Sequence, residues 1–428
     1  MKKKSVAAMA MAATAGMSVR NVLWLWWKLL VLVSLTICVL AFLKLQNYSL
    51  SDSEFSSSTS SISSRSRAVD YTGNPKVAFL FLVRRNLPLD FLWGNFFENA
   101  DTGNFSIYVH SEPGFVFDES TTRSTFFYNR QLTNSIKVAW GESSMIQAEK
   151  LLLGTALDDP ANQRFVLLSD SCVPLYNFSF IYNYLMASPR SFVDSFLDKK
   201  DVRYNPRMSP YIPMSKWRKG SQINPKSCSK IKGKEHLPAP SNGKMMYKSE
   251  KKLRNQRVQW ITLIRKHAEV VADDDAVFPV FKMFCKRRPP LEASKGKKNI
   301  KLQKQHNCIP DEHYVQTLLA IHGFEGELER RTITYTEWNE SVTNMEKKGW
   351  HPITFSYANA GPVQIKRIKD IRNVYYESEY RTEWCRNNST LAPCFLIARK
   401  FSRGAAMRLL SEGIVSPFDA SSIMNLTP

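Results

Sequence analysis

The run KVAFLFLVR (76–84) is continuously apolar, and it strongly limits the folds open to this chain. Such a run suits a strand covered on both faces, as in a parallel sheet. Three more strand-like runs and two helical stretches alternate after it. They lie at 105–111, 135–141 and 164–175 for the strands, and near 88–99 and over 143–157 for the helices. This alternation predicts an α/β fold with a doubly wound sheet.

The strand-like run 164–175 contains a polar turn with Ser169, Asp170 and Ser171. Ligands of doubly wound sheets bind at the carboxyl ends of strands, so Ser169 and Asp170 are candidate substrate-binding residues. A capping turn without a ligand is the alternative that the sequence leaves open.

Residues 22–43 form an apolar run interrupted by Lys28 and small hydroxyl side chains. Twenty-two helical residues span roughly 33 Å, which matches a hydrocarbon core of about 30 Å. A cleaved signal peptide fits poorly because the run is long and lacks a small-residue cleavage site. A buried core helix rarely stays apolar on all faces over this length. Basic residues and no acid precede the run, so the sequence predicts a single-pass anchor with a cytosolic N-terminus.

The anchor divides the chain into four parts. We expect a cytosolic tail (1–21), a transmembrane signal anchor (22–43), a flexible Ser-rich stem (44–74) and a lumenal domain (75–428). This organisation predicts a type II membrane protein whose bulk lies in the lumen.

Two sequence features agree with a lumenal location. Sequons occur at Asn47, Asn104, Asn177, Asn339, Asn388 and Asn425, and the glycosylation candidates are Asn104, Asn177, Asn339 and Asn388. Six cysteines follow the anchor, at positions 172, 228, 285, 308, 385 and 394, an even number that permits three disulfides.

The chain is strongly basic, with 59 Lys and Arg against 38 Asp and Glu and a formal net charge of +21. This balance favours a polyanionic partner. Nucleic acid is not expected in a lumen, so a nucleotide sugar or an acidic glycan fits better. The basic stretches 223–259 and 285–305 are interpreted as solvated loops or as a cationic rim that attracts an acidic acceptor.

The segment HNCIPDEHYVQTLL (306–319) combines acids and histidines with a helical apolar pattern. Pro310 cannot continue an upstream helix, and Asp is a preferred N-cap, so a helix is expected to begin near Asp311 and to end at Gly323. Asp311 is interpreted as the N-cap of this helix.

Glu312 then falls in the first helical turn, where the helix dipole favours its anion. An ionised, oriented carboxylate can remove the proton from an attacking sugar hydroxyl. A surface glutamate that only complements the dipole is the alternative. A metal site is a further alternative, although its spacing matches no common zinc pattern; its ligands would be His306, Cys308 and His313.

A second acidic run, ADDDAVFP (272–279), contains the Asp-x-Asp pattern with which many nucleotide-sugar transferases hold Mn²⁺. It follows an amphipathic run and is expected at a helix end or in a loop rather than after a strand. We interpret it as solvated, and no metal cofactor is expected.

Without a metal, a diphosphate leaving group must be neutralised by Lys and Arg. Residues 394–410 place Arg399, Lys400 and Arg403 between a strand-like run and an amphipathic helix. This arrangement favours a phosphate site beside a helix start.

Together these segments resemble the Core-2/I-branching β-1,6-N-acetylglucosaminyltransferase family, and its plant members in particular. The matching stretches cover most of 76–410 in the expected order. They are KVAFLFLVR, FSIYVHSEPGF, VAWGESSMIQAEKLLL, RFVLLSDSCVPLYNFSFIYNYLM, YNPRMSPYIPMSKWRKGSQ, NCIPDEHYVQTLL, TYTEWN and PCFLIARKF.

The resemblance implies a GT-A-like fold with a mixed sheet in a Golgi type II enzyme that inverts the anomeric centre without a metal ion. It implies a UDP-sugar donor similar to UDP-N-acetylglucosamine and an acceptor glycan or glycoprotein. By the family pattern Glu312 is the catalytic base, and Lys400 with Arg399 contacts the UDP diphosphate. Trp338 is implied to line the acceptor pocket, and Cys385 and Cys394 are implied to form a disulfide.

One departure from the plant pattern is the segment 223–259, which separates Gln222 from Trp260. It is a surface loop, a specificity element or a retained intron in the gene model. A non-catalytic membrane-anchored glycan-binding or scaffold protein on a degenerate transferase fold is the alternative function. The donor sugar, the acceptor and the linkage stay open.

Overall fold

The structure is a computed structural model that describes the chain in seven segments. They are residues 26–39, 71–198, 203–220, 260–287, 308–337, 352–376 and 379–413. Trp338, Asn339, the basic segment 223–259 and most of the predicted stem lie outside the described residues, as does most of the stretch 285–305.

The described secondary structure alternates strands and helices through most of the chain. The strands are β1 (Lys76–Leu82), β2 (Phe105–His110), β3 (Asn162–Ser169), β4 (Val173–Pro174), β5 (Ser191–Phe192), β6 (Phe196–Leu197), β7 (Arg218–Lys219), β8 (Thr262–Ile264), β9 (Leu328–Glu329), β10 (Thr334–Thr336), β11 (Asn373–Tyr376), β12 (Arg381–Trp384), β13 (Arg386–Asn387), β14 (Thr390–Leu391) and β15 (Ile397–Arg399). The helices are α1 (residues 26–39), α2 (Asp90–Glu98), α3 (Ser143–Leu157), α4 (Phe178–Ala187), α5 (Arg265–Asp273), α6 (Val277–Phe284), α7 (Tyr314–Ile321), α8 (Pro362–Lys369) and α9 (Arg403–Ser411).

Helix α1 lies inside the predicted anchor at 22–43, and its side chains are exposed. The flanking parts of that anchor, 22–25 and 40–43, lie outside the described residues. Among the helices that the structure describes, none is both long and apolar enough to cross a membrane.

A six-stranded sheet forms the centre of the fold, in the order β2-β1-β3-β8-β5-β9. Strands β2, β1 and β3 are parallel, β8 is antiparallel to its neighbours β3 and β5, and β9 is parallel to β5. The prediction of an α/β fold is confirmed, and a mixed, parallel-rich sheet with flanking helices fits a GT-A-like fold.

Alternating side chains of β1 enter two different cores, because successive residues of a strand point to opposite faces of the sheet. Phe79 and Phe81 pack in one core with Trp93 of α2. Ala78 and Leu80 pack in the other core, which contains residues of α3, α5, α6 and α7. The continuous apolar run of β1 therefore reflects burial on both faces.

Strands β1, β2 and β3 end together, since Leu82 pairs with both His110 and Ser169. We call this side of the sheet the carboxyl edge. Helix α3 connects β2 to β3 and packs on both, and β2 and β3 run in the same direction. The chain must therefore return along α3, which places the N-terminal end of α3 at the carboxyl edge.

The expected strand at 135–141 is wrong, because this segment is irregular in the structure. Its backbone groups bind side chains instead of a neighbouring strand. The Ile136 N–H donates to His110 Nε2 at 3.1 Å, and the Ala139 N–H donates to Ser144 Oγ at 3.0 Å. These hydrogen bonds connect the segment to the end of β2 and to the first turn of α3.

Two disulfides join described cysteines. One is Cys385–Cys394, the pair that the family resemblance implies, and the other is Cys285–Cys308. Cys172 is a buried free thiol, so it does not contribute to a third disulfide.

The three described sequon asparagines differ in their surroundings. Asn104 Oδ1 accepts a hydrogen bond from Asn74, and Asn177 Oδ1 caps α4 by accepting from the Phe180 N–H. Asn388 is exposed in the turn between β13 and β14 and has a φ of 46°.

Candidate active site

The segment around Glu312 folds differently from the predicted capped helix. Residues Pro310–Glu312 form a short 3-10 turn, and α7 begins only at Tyr314. No side chain caps either element, so the interpretation of Asp311 as an N-cap is wrong. The predicted helix end at Gly323 is confirmed, since Gly323 has the left-handed φ of 77° that follows many helix ends.

Glu312 lies in an ion pair with Arg203, whose Nη1 contacts Glu312 Oε2. The side chain of Glu312 is only 11% exposed, and that of Arg203 is 23% exposed. A partly buried guanidinium favours the anion and restricts the orientation of the carboxylate. Glu312 is therefore a largely enclosed carboxylate with a fixed counter-charge, unlike the exposed surface glutamate considered as the alternative.

The metal alternative at this segment is wrong for Cys308, and His313 is held by its own contacts. Cys308 forms a disulfide with Cys285, so it has no free thiol that could bind a metal. The His313 ring stacks on Trp217 with 4.4 Å between centroids, and its Nδ1–H donates to the Arg218 carbonyl at 2.8 Å. His306 lies outside the described residues.

Asp311, beside Glu312, is in a different environment. Its Oδ1 is buried and has no hydrogen-bond partner among the described residues. Burial, helped by the charge of Glu312, raises the pKa of Asp311 to about 7, although Arg203 acts in the opposite direction. The two adjacent carboxyl groups therefore lie in different electrostatic surroundings.

A third carboxyl group faces this turn from α3. Glu149 is 3% exposed, and its Oε2 is buried without a hydrogen-bond partner among the described residues. Burial, and then the charge of Asp311, raises the pKa of Glu149 well above its ordinary value. Helix α3 packs on the 310–312 turn, and Glu149 lies near the middle of α3.

The second part of the site lies directly after β3. Strand β15 pairs with β4, and the Phe401 N–H donates to the Ser171 carbonyl at 3.0 Å. This connection holds Arg399 and Lys400 beside Asp170, whose charge acts on both cations. The prediction that residues 394–410 combine a strand with a helix is confirmed by β15 and α9.

Arg399 is almost fully buried at this edge of the sheet. Its guanidinium carbon lies 4.4 Å from the ring centroid of Trp260, which is a cation–π contact. Its Nε is buried without a hydrogen-bond partner among the described residues. A buried cationic N–H without an acceptor is a group that a bound anion would satisfy.

Lys400 is in a cationic surrounding. Burial lowers the pKa of the Lys400 ammonium, and the charges of Arg399 and Arg84 lower it further, whereas Asp170 raises it. Three cations thus share one nearby carboxylate. An anionic ligand would relieve their mutual repulsion.

Ser169 contributes to the turn itself. Its hydroxyl lies 3.3 Å from Cys172 Sγ and 3.2 Å from Ser171 Oγ, and the residue is 7% exposed. Its placement at the carboxyl edge agrees with the sequence analysis. Its local hydrogen bonds fit the alternative of a structural turn, whereas Asp170 faces the cations.

The acidic run 273–275 lies between α5 and α6 and is not simply solvated. Asp274 Oδ1 accepts from the Val277 N–H at 2.8 Å, and its Oδ2 accepts from the Phe278 N–H and the Tyr314 hydroxyl, both at 2.7 Å. Asp274 therefore caps α6 and links it to α7. Across the described segments, no group of three or more His, Cys, Asp or Glu side chains is arranged to hold a metal ion.

Several residues of the site were missed by sequence reasoning. Arg84 had a usable signal, because it follows the first strand directly. Arg203, Trp260 and Glu149 had none, since each belongs to a stretch whose pattern only predicts a loop or an amphipathic helix.

The chain is similar to known proteins over most of its length. A family model described as Core-2/I-Branching enzyme matches residues 77–224 and 230–369. Glycosyltransferase BC10 from rice (Oryza sativa subsp. japonica) is 49% identical over 355 residues, which cover 82% of this chain and 80% of the rice protein.

Proposed function

This chain belongs to the Core-2/I-branching enzyme family and is a glycosyltransferase, and we propose that it moves a sugar from a UDP-sugar to a hydroxyl group of an acceptor glycan. The proposed reaction inverts the anomeric centre and uses no metal ion. A donor similar to UDP-N-acetylglucosamine is proposed from the family resemblance. The mechanism is supported by an enclosed carboxylate, Glu312, that is ion-paired with Arg203, and by a group of cations around Lys400 that an anion would compensate.

In the proposed reaction Glu312 is the catalytic base. Its carboxylate takes the proton of an acceptor hydroxyl while that oxygen attacks the anomeric carbon. The bond from the anomeric carbon to the diphosphate breaks, and UDP leaves from the opposite face. Arg203 supports this role because it occupies Oε2 of Glu312 and so limits the directions in which the carboxylate can point.

The leaving group is proposed to bind beside Arg399 and Lys400. UDP gains negative charge on its terminal phosphate as the glycosidic bond breaks, and fixed cations stabilise that charge. The unsatisfied Arg399 Nε and the repulsion among Arg84, Arg399 and Lys400 support an anion at this position.

The proposed location is the Golgi membrane, with a single N-terminal anchor at 22–43 and the catalytic domain in the lumen. The length of the apolar run and the basic residues before it support this topology. Protease protection of the full-length chain in microsomes tests it, because a lumenal domain is cleaved only after detergent is added.

The base assignment is tested with Glu312→Gln in the full-length chain purified in detergent, with UDP release from a panel of UDP-sugars as the readout. We expect turnover to fall by about 10²–10⁴, the usual contribution of general base catalysis, while UDP affinity is unchanged. Glu412→Gln removes a carboxylate that pairs with Arg408 outside the site, so it is a matched control that should keep full turnover. Near-normal turnover of Glu312→Gln would exclude this role.

A further inference from the structure

Two buried carboxyl oxygens near Glu312 have no hydrogen-bond partner among the described residues. They are Glu149 Oε2 on α3 and Asp311 Oδ1 on the 310–312 turn. Buried polar atoms of native proteins nearly always have a hydrogen-bond partner. Two buried oxygens without one, on two elements that pack against each other, therefore need an explanation.

We propose that Asp311 and Glu149 are positioning residues that retain protons next to Glu312, so that Arg203 pairs with Glu312 alone. The proposal rests on the proposed role of Glu312 as the base. Neither residue touches the reacting atoms in this scheme. They act by keeping the number of negative charges around Arg203 at one.

The charges around Asp311 support this arrangement. Among the described residues, three charged or titratable groups surround Asp311. Glu312 lies on the same turn, Arg203 lies in the irregular segment before β7, and Glu149 faces Asp311 from α3. Helix α7 contributes the Tyr314 hydroxyl, which is already donated to Asp274. Among these described groups, Arg203 is the one cation.

Ionisation of Asp311 would change this balance. A second anion would compete for the guanidinium of Arg203 and would repel the carboxylate of Glu312. The contact that orients Glu312 would then weaken. Protonated Glu149 opposes this by adding no charge and by offering an O–H donor toward the turn.

The protonation of Asp311 can be measured without any substrate. Folding raises the pKa of Asp311 from the ordinary value of 3.8 to about 7, so folding takes up a proton. Because the fold favours the neutral form of Asp311, this residue contributes most to the free energy of unfolding at acid pH. That contribution is lost as the pH rises to about 7. The Tm of the full-length chain should fall between about pH 4 and about pH 7 and then level off, and Asp311→Asn should remove part of that fall.

Matched variants separate the groups. Asp275→Asn changes an exposed aspartate of the nearby run and should keep the wild-type dependence of Tm on pH. Glu149→Gln replaces a protonated carboxyl group by a neutral group of the same shape, so the pH range over which Tm falls should not change. A shift of that range to lower pH would mean that Glu149 is charged, and this would contradict the proposal for Asp311 and Glu149.

The positioning role has a separate readout, the pH dependence of kcat/KM for the donor on which the wild-type chain releases UDP. We expect the wild-type value to fall above about pH 7, by up to about tenfold per pH unit, and Asp311→Asn to lack this fall. If Asp311→Asn alters the Tm profile but not the kcat/KM profile, the pair is only structural and the proposal is wrong. An unaltered Tm profile in Asp311→Asn also overturns it. Failure of the base assignment appears independently, as activity retained in Glu312→Gln.

Discussion

At the scale of single residues, the site depends on how each charge is compensated. Glu312 is paired with Arg203, whereas Oδ1 of the adjacent Asp311 is buried without a hydrogen-bond partner among the described residues. Lys400 has the opposite situation, because Arg399 and Arg84 lie near it and only Asp170 offsets their charges. The ion pair thus favours the carboxylate anion of Glu312, and a bound anion would relieve the repulsion around Lys400.

Lys400→Gln tests the cationic side at this scale. We expect UDP to bind about tenfold to a hundredfold more weakly, because a hydrogen bond to a charged group contributes about 1.5–3 kcal/mol. Isothermal titration of UDP into the full-length chain measures the change. Lys366→Gln is the control, since Lys366 is exposed on α8 and pairs with Asp370. Equal affinity in both variants would contradict a diphosphate contact by Lys400.

At the scale of elements, the turn that carries Glu312 is held by its neighbours. The Cys285–Cys308 disulfide fixes the chain just before the turn, and α3 packs on the turn itself. Asp274 links the start of α6 to Tyr314, the first residue of α7. The acidic run that resembles a metal motif therefore serves the packing of two helices.

Asp274→Ala should destabilise the fold by about 2–4 kcal/mol, because it removes a helix cap and leaves the Tyr314 hydroxyl without its acceptor. The Tm of the full-length chain should fall accordingly. Asp275→Ala, in the same run but exposed, should change the Tm little. Equal losses of Tm in the two variants would show that the hydrogen bonds of Asp274 are not the cause.

At the scale of the whole molecule, the fold brings distant parts of the chain together. Arg84 and Asp170 follow β1 and β3 at the carboxyl edge, Arg399 and Lys400 lie at the end of β15 beside Asp170, and α3 packs on the turn with Glu312. The strongly basic composition suits this use, since the proposed donor is an anion.

UDP binding should stabilise the whole molecule without a metal ion. At about a hundred times its Kd, UDP adds about 2.7 kcal/mol to stability, which raises the Tm measurably. EDTA should not reduce this shift, because Arg and Lys side chains are proposed to replace the metal. A shift abolished by EDTA would contradict metal independence. Absence of any shift would favour the non-catalytic scaffold.

The α/β class, the strands at 76–84, 105–111 and 164–175, and the family could all be predicted from the chain alone. These features depend on local apolar patterning and on motif order, which can be read along the chain. The strand prediction failed at 135–141, because backbone N–H groups of this segment donate to side chains instead of to a neighbouring strand.

Which charges meet depends on tertiary packing. Arg203 pairs with Glu312, and Glu149 faces Asp311 from α3, and neither contact has a local sequence signal. Ionisation depends on burial and on charges a few ångströms away, which belong to other elements. The carboxylates could therefore be identified from the chain, whereas their different surroundings are a result of packing.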